Sequence, residues 1–164
     1  MSENAVSMTA RQYLTFTLAD EHYAVPVEEV KEVLEFSSVT RVPKTQAFMR
    51  GVINLRGSVI PVIDLRLKFG LDATEKTIAT SIVVLELELG GTPITVGALA
   101  DSVQEVISLD ESAIEPPPRI GARINTDFIR GIGRQEDSFI LLLDIDRIFS
   151  EEDMSAAIED ASPR

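Results

Sequence analysis

Apolar residues in this chain fall into short, β-branched runs, and most runs come in pairs separated by a turn. Tyr13-Leu14-Thr15-Phe16-Thr17-Leu18 alternates large apolar residues with threonine or leucine, and Asp20-Glu21-His22 makes a polar turn into Tyr23-Ala24-Val25. That pattern predicts a hairpin. Ile82-Val83-Val84-Leu85-Glu86-Leu87-Glu88-Leu89 predicts another, with Gly90-Gly91-Thr92-Pro93 turning into Ile94-Thr95-Val96. Two more follow: Val52–Leu55 with Val59–Ile63 across Arg56-Gly57, and Phe139–Leu143 reached across Gln135-Glu136-Asp137.

Helical signals are short. Pro26 suits a first helical position ahead of Val27–Val33, whose valines fall at helical spacing. Asp64 is placed to cap Leu65–Phe69, with Gly70 as the stop. Ser150–Ala161 reads as an acidic tail or short helix, Pro116-Pro117-Pro118 as an extended connector, and residues 1–10 as a disordered tail.

An internal repeat organises these elements. A shift of 80 lays Phe48, Arg50, Gly51, Ser58, Ile60, Asp64 and Phe69 on Phe128, Arg130, Gly131, Ser138, Ile140, Asp144 and Phe149. These are seven identities in 22 ungapped positions, against roughly one or two from random pairing. A shift of 73 lays Val30, Glu32 and Val33 on Val103, Glu105 and Val106. The reading is a mostly β domain over 11–150, built of half-domains 11–80 and 81–150 with short helices, followed by the acidic tail 151–164. About five short strands of this size close most naturally into a small barrel, which removes exposed edges. Two such barrels would each be marginal alone, so a shared hydrophobic core is expected, with a binding groove between them.

Composition narrows the chemistry. The 164 residues carry no cysteine and one histidine, His22, so a disulfide framework, a thiolate metal site and a cysteine nucleophile are excluded. A net charge of −12, two tyrosines and no tryptophan argue against nucleic acid and against anionic membrane surfaces. No apolar stretch approaches the ~20 residues of a membrane span, and Met1–Gln12 lacks a signal-peptide pattern, so a cytoplasmic protein is expected.

Enzymatic motifs are weak. Asp64 and Asp144 occupy equivalent repeat positions and invite a carboxylate-dyad hydrolase reading, but Leu65 and Ile145 follow in place of the Ser/Thr and Gly that orient such a dyad. The alternative is a helix cap after a buried strand. Gly131-Ile132-Gly133 lacks the third glycine of a dinucleotide loop. No cofactor, metal ligand set or catalytic residue is assigned. Charge is segregated instead: Arg41, Lys44, Arg50, Arg56, Arg66 and Lys68 face one acid, Asp64, while Ile82–Glu115 holds seven acids and no base. Two faces that attract each other within the domain, or two partner surfaces, account for it equally. Arg56 stands out at a hairpin tip where Asn-Gly would be usual, and its repeat counterpart is Glu136. Val30, Val33, Val103 and Val106, beside Glu32 and Glu105, form two apolar stripes that read as core or as the floor of a groove for a helix.

The run Arg41-Val42-Pro43, then Phe48-Met49-Arg50-Gly51-Val52-Ile53-Asn54-Leu55-Arg56-Gly57, then Val59-Ile60-Pro61-Val62-Ile63-Asp64-Leu65-Arg66, resembles the signature of the CheW-like chemotaxis coupling domain. The resemblance extends from about Gln12 to Glu152. It implies two five-stranded SH3-like barrels on a shared core and a non-enzymatic adaptor between chemoreceptors and the regulatory domain of the histidine kinase CheA. By position it places Val30, Glu32, Val33, Arg56, Val103 and Val106 toward the receptor's helical signalling tip, and Val25, Val27 and Val33 toward the kinase. An adaptor of another receptor–kinase pathway, such as pilus motility or development, has the same expected features. Membrane association is expected only through protein partners in receptor arrays.

Overall fold

A computed structural model describes residues 10–36, 39–43, 46–116, 128–135 and 138–149. In chain order the elements are β1 (Ala10–Leu18), β2 (Glu21–Pro26), a 3-10 turn (Val27–Glu29), β3 (Val30–Glu35), β4 (Met49–Leu55), β5 (Ser58–Asp64) and α1 (Leu65–Lys68). There follow β6 (Ser81–Leu89), β7 (Thr92–Ala100), β8 (Ser102–Asp110), a second 3-10 turn (Glu111–Ala113), β9 (Ile114–Glu115), β10 (Ile129–Gln135), β11 (Ser138–Leu143) and α2 (Ile145–Ile148). All four expected hairpins form: β1–β2, β4–β5, β6–β7 and β10–β11. Asp64 caps α1 by accepting from the Arg66 and Leu67 amides, and Gly70 follows with φ +82°.

The strands make two sheets, in the orders β3-β6-β7-β5-β4 and β8-β1-β2-β11-β10-β9. Matching β3 to β8, β6 to β1, β7 to β2, β5 to β11 and β4 to β10 superimposes one order on the other. The two-residue β9, paired with Gly133 and Ile132, corresponds to the Thr40↔Val52 bridge on β4. Gly51 and Gly131 permit these close edge contacts: a Cβ on Gly51 would strike the Thr40 carbonyl, and one on Gly131 would lie 2.9 Å from that of Glu115.

The sheets do not divide at residues 80 and 81. Each repeat donates its first hairpin to the other's sheet: β1–β2 lies with β8, β10 and β11, and β6–β7 lies with β3, β4 and β5. The donated hairpins are received by parallel pairings, β5 with β7 through Val62↔Gly97 to Asp64↔Leu99, and β11 with β2 through Leu141↔Tyr23 and Leu142↔Ala24. Half-domains 11–80 and 81–150 are therefore units of sequence, while each barrel-like unit draws strands from both.

Alternation sorts side chains between three clusters. Leu14, Phe16 and Leu18 of β1, Tyr23 and Val25 of β2, Val83, Leu85 and Leu87 of β6, and Val96 and Ala98 of β7 meet in a core common to both sheets. Their neighbours point the other way. Tyr13, Ala24, Ile107, Leu109, Ile140 and Leu142 form a second buried cluster on one sheet, and Val62, Ile82, Val84 and Leu99 form a third on the other. Strands buried on both faces read as continuous apolar runs, which is why Ile82–Leu85 has no polar position.

Three local expectations are corrected. Val27–Val33 is a 3-10 turn followed by β3, since the valine spacing comes from a turn joined to a strand. The Gly90-Gly91 turn has two residues, with φ +59° and +82°, and Thr92 and Pro93 already belong to β7. Ala10 opens β1 and so is not part of a tail. The expectations for Pro117-Pro118, the Glu136-Asp137 turn, residues 1–9 and the acidic tail lie outside the described residues.

Candidate functional site

Two features mark β3 and β8 among the strands: both are edges in their sheets' strand orders, and both carry a bulge at the repeated Val-x-Glu-Val segment. The register of β3 on β6 shifts between Val30 and Glu32, and that of β8 on β1 shifts within Val103–Val106, opposite Leu14–Phe16. A bulge re-aims the side chains that follow it. Val30 and Val103, on the near side, are half-buried against the common core. Val33 and Val106, on the far side, are 41% and 52% exposed. The two stripes are thus half core and half surface, one on each sheet.

The bulge in β8 is plugged by a hydroxyl. Buried Thr15 Oγ1 donates to the Glu105 carbonyl at 2.7 Å and accepts from the Glu105 amide at 3.0 Å, standing in for the strand partner that the extra residue loses. Nearby, the Thr17 and Ser102 hydroxyls lie 2.7 Å apart, and Gln104 donates to Ser102. Sequence reasoning did not single out Thr15. Thr15 and Thr17 alternate alike with the apolar positions of the run, so residue type alone does not set the buried hydroxyl apart.

Arg56 sits in a two-residue turn closed by Leu55↔Ser58, with φ +52° at Arg56 and +88° at Gly57. Both central residues are left-handed, the type I′ pattern for which asparagine or glycine is the favoured first residue. The Asn54 side chain supports the turn, accepting from the Gly57 amide at 2.8 Å. The Arg56 guanidinium donates twice to the Glu32 carboxylate, at 2.7 and 3.0 Å. This pairing holds the Glu32 carboxyl below the usual carboxylate range. Because β3 and β4 are the two ends of the sheet order, the pair ties the sheet's opposite edges together. Arg56 remains 73% exposed while anchored. A strained, exposed and oriented arginine is an observation that points toward binding.

The remaining candidates separate by burial. Val27 lies half-buried on the common core beside the first bulge. Val25 is 1% exposed within that core, so it is not a surface contact; its alternation with Ala24 on β2 turns it inward with Tyr23. Of the six clustered bases, Arg50 pairs with Asp64, Arg56 with Glu32, and Arg66 with Asp101. Of these three pairs only Arg66–Asp101 joins the basic segment to the acidic one, so pairing inside the domain accounts for a small part of the charge segregation.

The two equivalent aspartates differ. Asp64 is fully buried, and both of its oxygens are occupied: Oδ2 accepts from Arg50 at 3.0 Å and the Thr74 amide at 2.9 Å, while Oδ1 accepts from the Thr74 hydroxyl at 2.8 Å and the Arg66 amide at 3.1 Å. Asp144 is partly exposed, approaches Arg130 and Arg147 only at 3.9 and 3.6 Å, and makes no side-chain cap bond. Asp64 is committed to holding α1 and the loop around Thr74, an arrangement unlike a proton-sharing dyad. Among the described residues no group of three or more His, Asp or Glu side chains is arranged to hold a metal, and no helix is long and apolar enough to cross a membrane.

Comparison with known proteins agrees with this architecture along nearly its whole length. Residues 12–153 match the family model of the CheW-like domain. Chemotaxis protein CheW of Klebsiella aerogenes is 34% identical over 158 residues, covering 94% of this chain and 91% of the relative. Chemotaxis protein CheW of Bacillus subtilis is 34% identical over 153 residues, covering 93% and 95%, and Protein FrzA of Myxococcus xanthus is 33% identical over 142 residues, covering 82% and 85%. The crystal structure of scaffolding protein TtCheW from Thermoanaerobacter tengcongensis is similar with a TM-score of 0.77 at 36% identity, over 87% of this chain and 90% of that one. With a shared fold, a matching signature and relatives aligned over most of both chains, this protein belongs to the CheW-like domain family.

Proposed function

We propose that this chain is a non-enzymatic adaptor that couples methyl-accepting chemoreceptors to the histidine kinase CheA. The observation that carries the reading is the pair of equivalent bulged strands, one per sheet, that present Val33 and Val106 outward, with Arg56 of the β4–β5 turn held exposed by its pairing to Glu32 of one of them. Apolar spots flanked by fixed charge suit a helical ligand laid between two sheets. The receptor surface then comprises Val30, Glu32, Val33, Arg56, Val103 and Val106, and the kinase surface lies around Val27, in the turn before the first bulged strand, and Val33 on that strand. The protein works in the cytoplasm and reaches the membrane only through receptor arrays. Contacts this small are weak singly, and many linked copies convert them to avidity.

The test is co-purification of the full chain with a soluble chemoreceptor signalling-tip fragment and, separately, with a CheA regulatory domain. The wild-type protein retains both. Arg56→Glu loses the receptor fragment while keeping its circular dichroism spectrum and urea midpoint. Failure of the wild type to hold either partner, or normal receptor binding by Arg56→Glu, overturns the reading.

A further inference from the structure

The two Val-x-Glu-Val bulges are equivalent in backbone but not in charge. Glu32 is neutralised from within by Arg56. Glu105, its counterpart on β8, has a backbone locked by Thr15 and an exposed carboxylate that makes no ion pair among the described residues. Among the described residues of its own repeat, none supplies one. The position equivalent to Arg56 is Glu136, and no lysine occurs between Ser81 and Phe149. The described arginines of this repeat are engaged elsewhere: Arg134 with Glu115, and Arg130 and Arg147 toward Asp144.

We infer that Glu105 is a recognition residue, and that a receptor helix lying against Val103 and Val106 brings its own basic side chain to this carboxylate. The inference rests on the proposed receptor-binding reading and deepens it by naming the chemistry the ligand must carry at the second bulge. The first bulge offers a ligand an arginine whose charge is already partnered; the second offers an acid with no partner among the described residues, beside an apolar spot. A helix bridging them is oriented by this difference, with its basic residue toward β8, so the asymmetry fixes direction on a scaffold that is otherwise nearly two-fold symmetric.

The test titrates full-length protein with a soluble chemoreceptor signalling-tip fragment at low salt and at roughly 0.5 M salt, where charge interactions are screened within a few Å. Glu105→Gln weakens binding about 3–10-fold at low salt, and the deficit shrinks at high salt. Glu105→Lys weakens it further, and changing one basic residue of the fragment's tip to Glu restores binding to that variant. Glu88→Gln, an exposed acid on β6 of the other sheet, leaves binding unchanged. Unaltered urea midpoints establish that the variants are folded. The inference is overturned if Glu105→Gln binds within twofold of wild type while Arg56→Glu does not bind, a result that leaves the receptor-binding reading intact. Loss of the CheA regulatory domain in place of the receptor fragment overturns it equally. If the wild type does not bind the fragment, the receptor-binding reading falls, and this inference with it.

Discussion

Asp64 and Asp144 provide a controlled comparison, because the repeat places the same residue at the same position in two environments. Replacing Asp64 by Ala removes a fully buried carboxylate that takes hydrogen bonds from the Thr74 amide and hydroxyl, the Arg66 amide and Arg50. Each buried donor left unsatisfied costs ~1–3 kcal/mol, partly relieved by water, and breaking a buried ion pair on one side costs ~3–5 kcal/mol in all. The helix cap contributes ~1 kcal/mol of the same total. We expect Asp64→Ala to destabilise by about 3–5 kcal/mol, a large part of the ~5–15 kcal/mol available to a domain. Asp144→Ala removes longer, partly exposed ion contacts and no cap bond, so its cost is about 1 kcal/mol or less. Urea unfolding followed by circular dichroism reads the difference. With a slope of ~2 kcal/mol/M, Asp64→Ala shifts the midpoint by about 2 M and Asp144→Ala by about 0.5 M or less. Equal costs for the two, or a cost below about 1 kcal/mol for Asp64→Ala, refute the bonding argument.

Three further outcomes follow from single side chains. Thr15→Val unplugs the β8 bulge and costs ~1–3 kcal/mol, with faster hydrogen exchange at the Glu105 amide; an unchanged exchange rate there contradicts the plug. Tyr23 has its hydroxyl buried without a partner, and burial pushes its pKa up to about 12, so Tyr23→Phe is neutral or stabilising by up to ~1 kcal/mol, and a clear loss of stability shows the hydroxyl to be bonded. Glu29, in the turn between β2 and β3, has one carboxylate oxygen buried and unpartnered. Burial raises its pKa, with Asp146 and Glu28 adding to the rise and Arg130 and Arg11 opposing it. Its protonated form is the one the fold favours, so its contribution to stability is full below the unfolded value and is lost as pH rises through the folded one. Glu29→Gln is therefore more stable than wild type at neutral pH, and the gap in urea midpoint widens from about pH 4 to about pH 7; a constant or narrowing gap contradicts this.

The hairpins were readable because each is written in adjacent residues: an alternating run, a turn and a second run. The α1 cap was readable for the same reason, with Asp64 before the helix and Gly70 after it. The β3 segment misled because the valines at 27, 30 and 33 have helical spacing, whereas a 3-10 turn and a bulge generate that spacing in an extended chain. The exchange of hairpins between repeats leaves no local trace. The apolar pattern marks β1–β2 and β6–β7 as hairpins, but which strand lies alongside is a long-range matter, decided by packing around the common core. Within the candidate site, the repeated Val-x-Glu-Val segments and the odd arginine of the turn were visible in the residues. The partition of each stripe into a core valine and a surface valine was not, since it depends on bulges that no residue type announces.

The exchanged hairpins have a consequence for geometry at the scale of an assembly. A molecule made of two ordinary domains can flex at a linker, and the angle between whatever each domain holds then varies. Here neither sheet can rotate away from the other without stripping a hairpin out of its neighbour, so β3 and β8 hold a set orientation for as long as the chain is folded. Such a molecule behaves as a bracket: it hands its angle on to the components it joins, and errors of alignment do not accumulate at this joint from one copy to the next.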